Sequence, residues 1–196
     1  MQTDAAIPWD GDAETMDDEA ALVRAAQQDP AAFAPLYRRY RHRVYAYLCG
    51  RLTNAEDAAD LTQQVFLQAL AALPRYRTRS TPFGVWLFRI ARNAAADLHR
   101  RNRRVVIPWE AMPDELQPRA EHDVEGQVLQ REALAHLHVA MRNLDPDTRD
   151  LLMLRFAARL TAAEVGAVIG KNTAAASKRL QRALQTLKEQ YHESTE

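Results

Sequence analysis

Apolar residues recur at helical spacing in one segment after another, and the pattern predicts an all-α chain. Asp29 followed by Pro30 is a helix start, a capping Asp with Pro at the first helical position. Phe33, Tyr37, Tyr40, Val44 and Tyr47 then repeat at helical spacing, with Arg38, Arg39, Arg41 and Arg43 outside that stripe, so the aromatic stripe reads as core. Asn54 with Asp57 resembles a capping pair for a helix that ends near Leu73 and Pro74. Residues 75–82 form a basic loop, and the next helix runs from about Phe83 to about Arg101. Its predicted apolar stripe is Leu87, Ile90, Ala91, Ala94 and Leu98; Trp86, Arg89, Asn93, Asp97 and Arg100 line the opposite side. Pro108, Pro113 and Pro118 among acidic residues mark an interdomain linker over 105–125, and a second helical module runs from near Glu125 to about Tyr191. Residues 1–16 read as disordered, and no internal repeat is visible.

The polar side of the 83–101 helix has nucleic-acid chemistry. An aromatic ring stacks on a base, guanidiniums neutralise phosphates, and an Asn amide reads a base edge. The second module carries its own signal in the run from Leu160 to Thr173. Val165, Val168 and Ile169 give a short helix one apolar side, and Gly166 is small where a second helix must pass closely. Gly170 suits a left-handed turn and Asn172 caps the following helix. In that helix Ala176, Leu180, Ala183, Leu184 and Leu187 share one face; Ala174, Ser177, Lys178, Gln181, Arg182 and Gln185 share the other. This is a helix-turn-helix pattern, with Lys178, Gln181 and Arg182 best placed for a major groove. A plain helical hairpin is the alternative reading of the same spacing.

Charge sharpens this. The 196 residues carry 26 basic and 26 acidic side chains, and the zero net charge conceals a segregated distribution. Residues 1–20 hold seven acids and no Lys or Arg. Residues 21–104 carry a net +10, residues 105–130 a net −5, and residues 131–196 a net +2. Two basic blocks that attract DNA are thus separated by an acidic spacer behind an acidic tail. No long apolar run predicts a membrane span, and the acidic start does not resemble a signal peptide. Cys49 is the single cysteine, which excludes an internal disulfide, fits a reducing cytoplasm and reads as a small buried thiol.

Two DNA-facing modules in this order resemble a bacterial extracytoplasmic-function (ECF) sigma factor of the sigma-70 family. The resemblance covers about residues 20–104 (region 2) and 135–190 (region 4). The run Asp57-Ala-Ala-Asp60-Leu61-Thr62-Gln63-Gln64 is similar to the acidic run with which the family binds polymerase. The run from Trp86 to Asn93, with Asp97, Arg100 and Arg101, is similar to the helix that recognises the −10 element. Leu144 to Phe156, followed by the helix-turn-helix, is similar to region 4. The resemblance implies two small helical domains, a region 2 bundle and a region 4 helix-turn-helix, joined by a flexible acidic linker. Its divisions are a tail over 1–17, region 2 over 18–104, a linker over 105–130 and region 4 over 131–196.

The resemblance also implies partners: the β′ clamp helices and β flap of core RNA polymerase, promoter DNA and an anti-sigma factor, with no cofactor, no metal and no membrane insertion. The implied −10 contacts are Phe83, Trp86, Arg89, Asn93, Arg100 and Arg101, with a flipped base held by the loop over 77–84. The implied −35 contacts are Lys171, Ser177, Lys178, Gln181 and Arg182. Asp57, Asp60, Gln63 and Gln64 face polymerase. Trp86 has packing as its other reading, and Asp97 an ion pair with Arg100 or Arg101.

The chain departs from the family at Ala59 and Gln64, where acids are usual, at Thr62, where Val is usual, and at Lys171, where an apolar residue is usual. One branch of the family restores charge by threonine phosphorylation. Thr62 falls on the apolar stripe with Ala58, Val65, Phe66 and Ala69, where a phosphate is buried unfavourably. An enzyme is disfavoured. His136 and His138 point to different helix faces, and no Gly-rich phosphate loop or nucleophile motif is present. The rival reading is a helix-turn-helix regulator that is not a polymerase subunit, but such a protein needs no second DNA surface at 86–101.

Overall fold

The computed structural model describes residues 14–52, 54–77, 81–101 and 124–193, and all regular structure among them is helical. Helix α1 spans Glu14–Gln28. It begins within the stretch expected as tail, and residues 1–13 lie outside the described residues. The reason for the difference is packing: Val23 and Ala26 are buried against the bundle. Gln27 Nε2 also donates to the carbonyls of Leu73 (3.0 Å) and Tyr76 (2.7 Å). Asp29 caps a short 3₁₀ turn, Pro30–Phe33, accepting from Ala31 N at 2.9 Å, and α2 (Ala34–Cys49) follows directly. Asn54 accepts from Glu56 N at 2.9 Å and starts α3 (Ala55–Ala72), which closes in a 3₁₀ turn over Leu73–Arg75. Helix α4 spans Phe83–Arg101.

These helices bury an aromatic core. Phe33 meets Phe66, Tyr40 meets Phe83 and Tyr47 meets Phe88 edge-on, at centroid distances of 6.3, 5.5 and 5.7 Å. Each such pair adds about 0.5–1.5 kcal/mol beyond its buried area. Tyr37 lies at the rim, half covered by Phe66. The buried line of α4 is Leu87, Phe88, Ala91 and Ala95, while Ile90, Ala94 and Leu98 are half-buried flanks. The stripe is therefore rolled from its predicted position toward Phe88, which packs edge-on against Tyr47 of α2.

That body comprises α5 (Val124–Asn143), α6 (Pro146–Leu152), a π-helical segment Met153–Ala157, α7 (Ala162–Ile169) and α8 (Thr173–Glu193). The start of α5 agrees with a module beginning near Glu125; linker residues 102–123 lie outside the described residues. Asp145 caps α6, accepting from Asp147 N and Thr148 N. Arg149 then turns back to donate to Met141, Arg142 and Leu144 carbonyls, closing the C-terminus of α5. Thr161 and Glu164 form a reciprocal capping box on α7. Gly170 takes φ 69° and Asn172 Oδ1 accepts from Ala175 N at 2.8 Å, so the predicted turn and cap are both in place. Leu184, expected on the buried face of α8, is 42% exposed, whereas Ala183 is buried and Leu187 packs half-buried against the core.

The two bodies share one continuous core. Helix α7 packs on α4, and the π segment packs on α2. A Cβ built on Gly166 would lie 2.8 Å from the Lys171 carbonyl and 3.2 Å from Ala176 Cβ. The turn backbone cannot give way cheaply, so Gly166→Ala is expected to destabilise the protein by about 1–3 kcal/mol. A urea unfolding curve would read this as a lower midpoint.

Candidate nucleic-acid interface

Helix α4 presents Arg89, Asn93, Asp97 and Arg100 on its exposed side. Asp97 is ion-paired with Arg100 one turn on. With Arg51, Ala96 and His99, the residues Asn93, Asp97 and Arg100 line an open cleft of about 600 Å³. Arg89 points across to the second body, where its Nε donates to the Ala167 carbonyl at 3.0 Å. That carbonyl belongs to the last turns of α7, where the helix dipole is negative and favours a cation.

Phe83 does not sit on this surface. It opens α4 and is 1% exposed among Tyr40, Tyr76 and Trp86, so it supports the helix start from within the core. Trp86 is half-buried, tilted 38° on Tyr76 with centroids 4.7 Å apart. Its packing role is thus realised, and one part of the ring stays accessible. Gly84 lets this corner close: a Cβ there would lie 2.9 Å from Tyr40 Oη. That hydroxyl donates in turn to Glu19 of α1. Arg101 ends α4, and its side chain lies outside the described residues.

Arg92 was missed. It falls between the predicted stripes, yet it shares a face with Arg89 and Ala96 at helical spacing, the one signal that would have exposed it. Its Nε donates to Asp150 Oδ2 at 2.7 Å. Arg51 pairs with Asp150 Oδ1, and Tyr47 Oη donates to that same oxygen at 2.7 Å. Burial and then the Asp150 charge push the Tyr47 phenol well above its ordinary pKa, keeping it a hydrogen-bond donor. Burial disfavours the Arg92 cation, but the hydrogen bond and charge of Asp150 prevail and hold it above its usual value.

On α8, Lys178, Gln181 and Arg182 are exposed, Ser177 is half-exposed, and Lys171 is exposed in the preceding turn. Arg179 lies beside them, so the basic face is wider than the three residues singled out from the sequence. Lys171 N donates to the Gly166 carbonyl at 2.8 Å, which leaves the side chain free to project from the turn. On α3, Asp60, Gln63 and Gln64 are exposed and Asp57 half-exposed. Leu67, 66% exposed, extends that edge with an exposed apolar side chain not anticipated from the sequence. Burial holds the Cys49 thiol above its ordinary pKa, against the opposing hydrogen bond from Tyr45.

Two helical bodies each present exposed basic residues on one helix face. Residues 36–105 match Sigma-70 region 2, and residues 140–189 match Sigma-70, region 4. The chain is 36% identical over 168 residues to the ECF RNA polymerase sigma factor BldN of Streptomyces coelicolor, covering 85% of this chain and 63% of that one. It is 30% identical over 177 residues to SigD of Mycobacterium tuberculosis, covering 88% and 82%. The fold is similar to CnrH solved in complex with the cytosolic domain of CnrY (TM-score 0.64, 24% identity, 87% and 95% covered). It is also similar to RpoE solved with the anti-sigma factor NepR from Bartonella quintana (TM-score 0.61, 20% identity, 81% and 95% covered). The chain belongs to the ECF sigma factors, which direct RNA polymerase to particular promoters.

Thr62 is 7% exposed and its Oγ1 donates to the Ala58 carbonyl at 2.7 Å. A charge there has no solvent. Thr62→Glu is therefore expected to destabilise the fold by about 2 kcal/mol or more without raising promoter-dependent transcription. Thermal unfolding and run-off transcription would check the two halves.

Proposed function

We propose that the chain binds core RNA polymerase through the α3 edge formed by Asp57, Asp60, Gln63 and Gln64, which docks on the β′ clamp helices. The observation that carries this reading is the match of both modules to sigma regions, with an exposed basic helix face in each. Region 2, over 18–104, captures the non-template strand of the opened −10 element. Arg89, Asn93, Arg100 and Arg101 follow the strand, and the accessible part of Trp86 stacks at its edge. Phe83 contributes by holding the helix start in place. Region 4, over 131–196, lays α8 in the −35 major groove, with Ser177, Lys178, Gln181 and Arg182 toward bases and Lys171 toward a phosphate; it also touches the β flap.

No helix among the described residues is long and apolar enough to cross a membrane. The work is that of a non-enzymatic subunit in the cytoplasm, at the nucleoid when in holoenzyme. Two solved relatives are bound to CnrY and to an anti-sigma factor, and a comparable inhibitor fits the regulation of this chain.

Run-off transcription with core polymerase over a promoter library tests the whole reading. Promoter-selective initiation that depends on added protein is expected; uniform or absent initiation overturns it. Within a selected promoter, Arg182→Ala is expected to weaken −35 recognition by about 1–3 kcal/mol. Unchanged −35 preference in a competition assay would remove Arg182 from the reading face.

A further inference from the structure

Asp150 is 2% exposed, and three donors from the other module converge on its carboxylate. Tyr47 Oη and Arg51 Nη1 reach Oδ1, and Arg92 Nε reaches Oδ2. Two guanidiniums for one carboxylate leave an excess of positive charge. Their forked N–H groups suit a tetrahedral oxyanion as well as they suit a carboxylate. The seat also adjoins the proposed −10 face. Arg92 lies one turn from Arg89 and next to Asn93, and Arg51 lines the cleft shared with Asn93, His99 and Arg100.

The rest of the contact between modules touches the same surface. Arg89 is held by the Ala167 carbonyl, and Arg43 Nε donates to the Ala158 carbonyl at 2.8 Å. Gly50 admits Met153 so closely that a Cβ there would fall 1.9 Å from Met153 Cε. This arrangement is incompatible with simultaneous −10 and −35 contact. By their own numbering the elements lie about 25 base pairs apart, on the order of 85 Å of duplex, whereas α4 and α7 are in contact. The modules must part to read both.

We infer that Tyr47, Arg51 and Arg92 form a phosphate seat, which Asp150 fills in the closed chain and a backbone phosphate of the opened strand fills once the modules separate. The inference rests on the sigma-factor reading for the source of that phosphate. Asp150 is then an internal mimic of the ligand. The closed chain hides its seat from DNA, and opening exposes two arginines that need a new anion.

Two readouts on the full-length chain test this: radius of gyration by small-angle scattering, and anisotropy of a fluorescein-labelled, mixed-sequence 20-nucleotide single strand. Asp150→Asn is expected to enlarge the chain and tighten strand binding several-fold. Arg92→Ala removes the same ion pair and is also expected to enlarge the chain, yet to weaken binding. Its log–log salt slope should fall by about 0.7 for one lost phosphate contact. Gly50→Leu wedges the modules apart without touching the charges and should behave like Asp150→Asn, so it carries the test if that variant fails to fold.

Changes of the same sign for Asp150→Asn and Arg92→Ala overturn the seat, because a merely structural pair would give them. So does an unchanged radius of gyration in both Asp150→Asn and Gly50→Leu, or a strand that binds neither wild type nor the opened variants. Run-off transcription separates the two claims. Opposite-sign responses without promoter-selective initiation retain the seat and refute the sigma reading; same-sign responses with initiation refute the seat alone.

Discussion

A carboxylate at 2% exposure must be met by donors, and every donor described for Asp150 comes from the opposite module. The relative placement of the two helical bodies depends on this constraint. Removing one partner of a buried charged group typically costs about 3–5 kcal/mol, a large share of the roughly 5–15 kcal/mol that stabilises an ordinary domain. The surrounding contacts are built to the same close fit. Met153 occupies the space left by Gly50, and the Arg43 guanidinium lies over the Tyr40 ring while bonding the Ala158 backbone. The modules are therefore one packed body in this state, with a core that runs from Val23 to Ala183.

Helix α4 serves three neighbours at once. Leu87, Phe88, Ala91 and Ala95 belong to the core, Arg89 and Arg92 reach the second module, and Asn93, Asp97 and Arg100 face the cleft. A helix divided in this way cannot give a single amphipathic stripe, which is why the apolar face read from periodicity was rolled away from Phe88. The consequence for function is direct. The surface proposed to follow an opened promoter strand is also the surface against which the second module rests, where Arg89 and Arg92 are already bonded.

Much of the local structure was legible because its causes are local. Asp29 with Pro30, Asn54, Gly170 and Asn172 each cap or end a helix through bonds spanning no more than a few residues. Gly166 was readable for a related reason, since the turn it accommodates is its own. Thr62 fell on the apolar side of α3 by simple spacing, and its burial follows. Phe83 is the instructive exception. Its place beside a basic loop suggested a DNA contact, but Tyr40, Tyr76 and Trp86 close around it from three different segments. Helix α1 was also underread, because its polar start masks the contacts that Val23, Ala26 and Gln27 make with the bundle.

The sequence by itself determined an all-helical chain of two modules, the turn chemistry of the helix-turn-helix, and a basic face on one helix of each module. Those properties follow from spacing and capping within a few residues. Only the tertiary structure decided that Arg51, Arg92 and Tyr47 meet Asp150, whose partner Tyr47 lies 103 residues away. No periodicity encodes such a meeting. It arises because a buried charge must find donors wherever the packed chain brings them, and here the packing brings them from α2, the turn that follows it and α4.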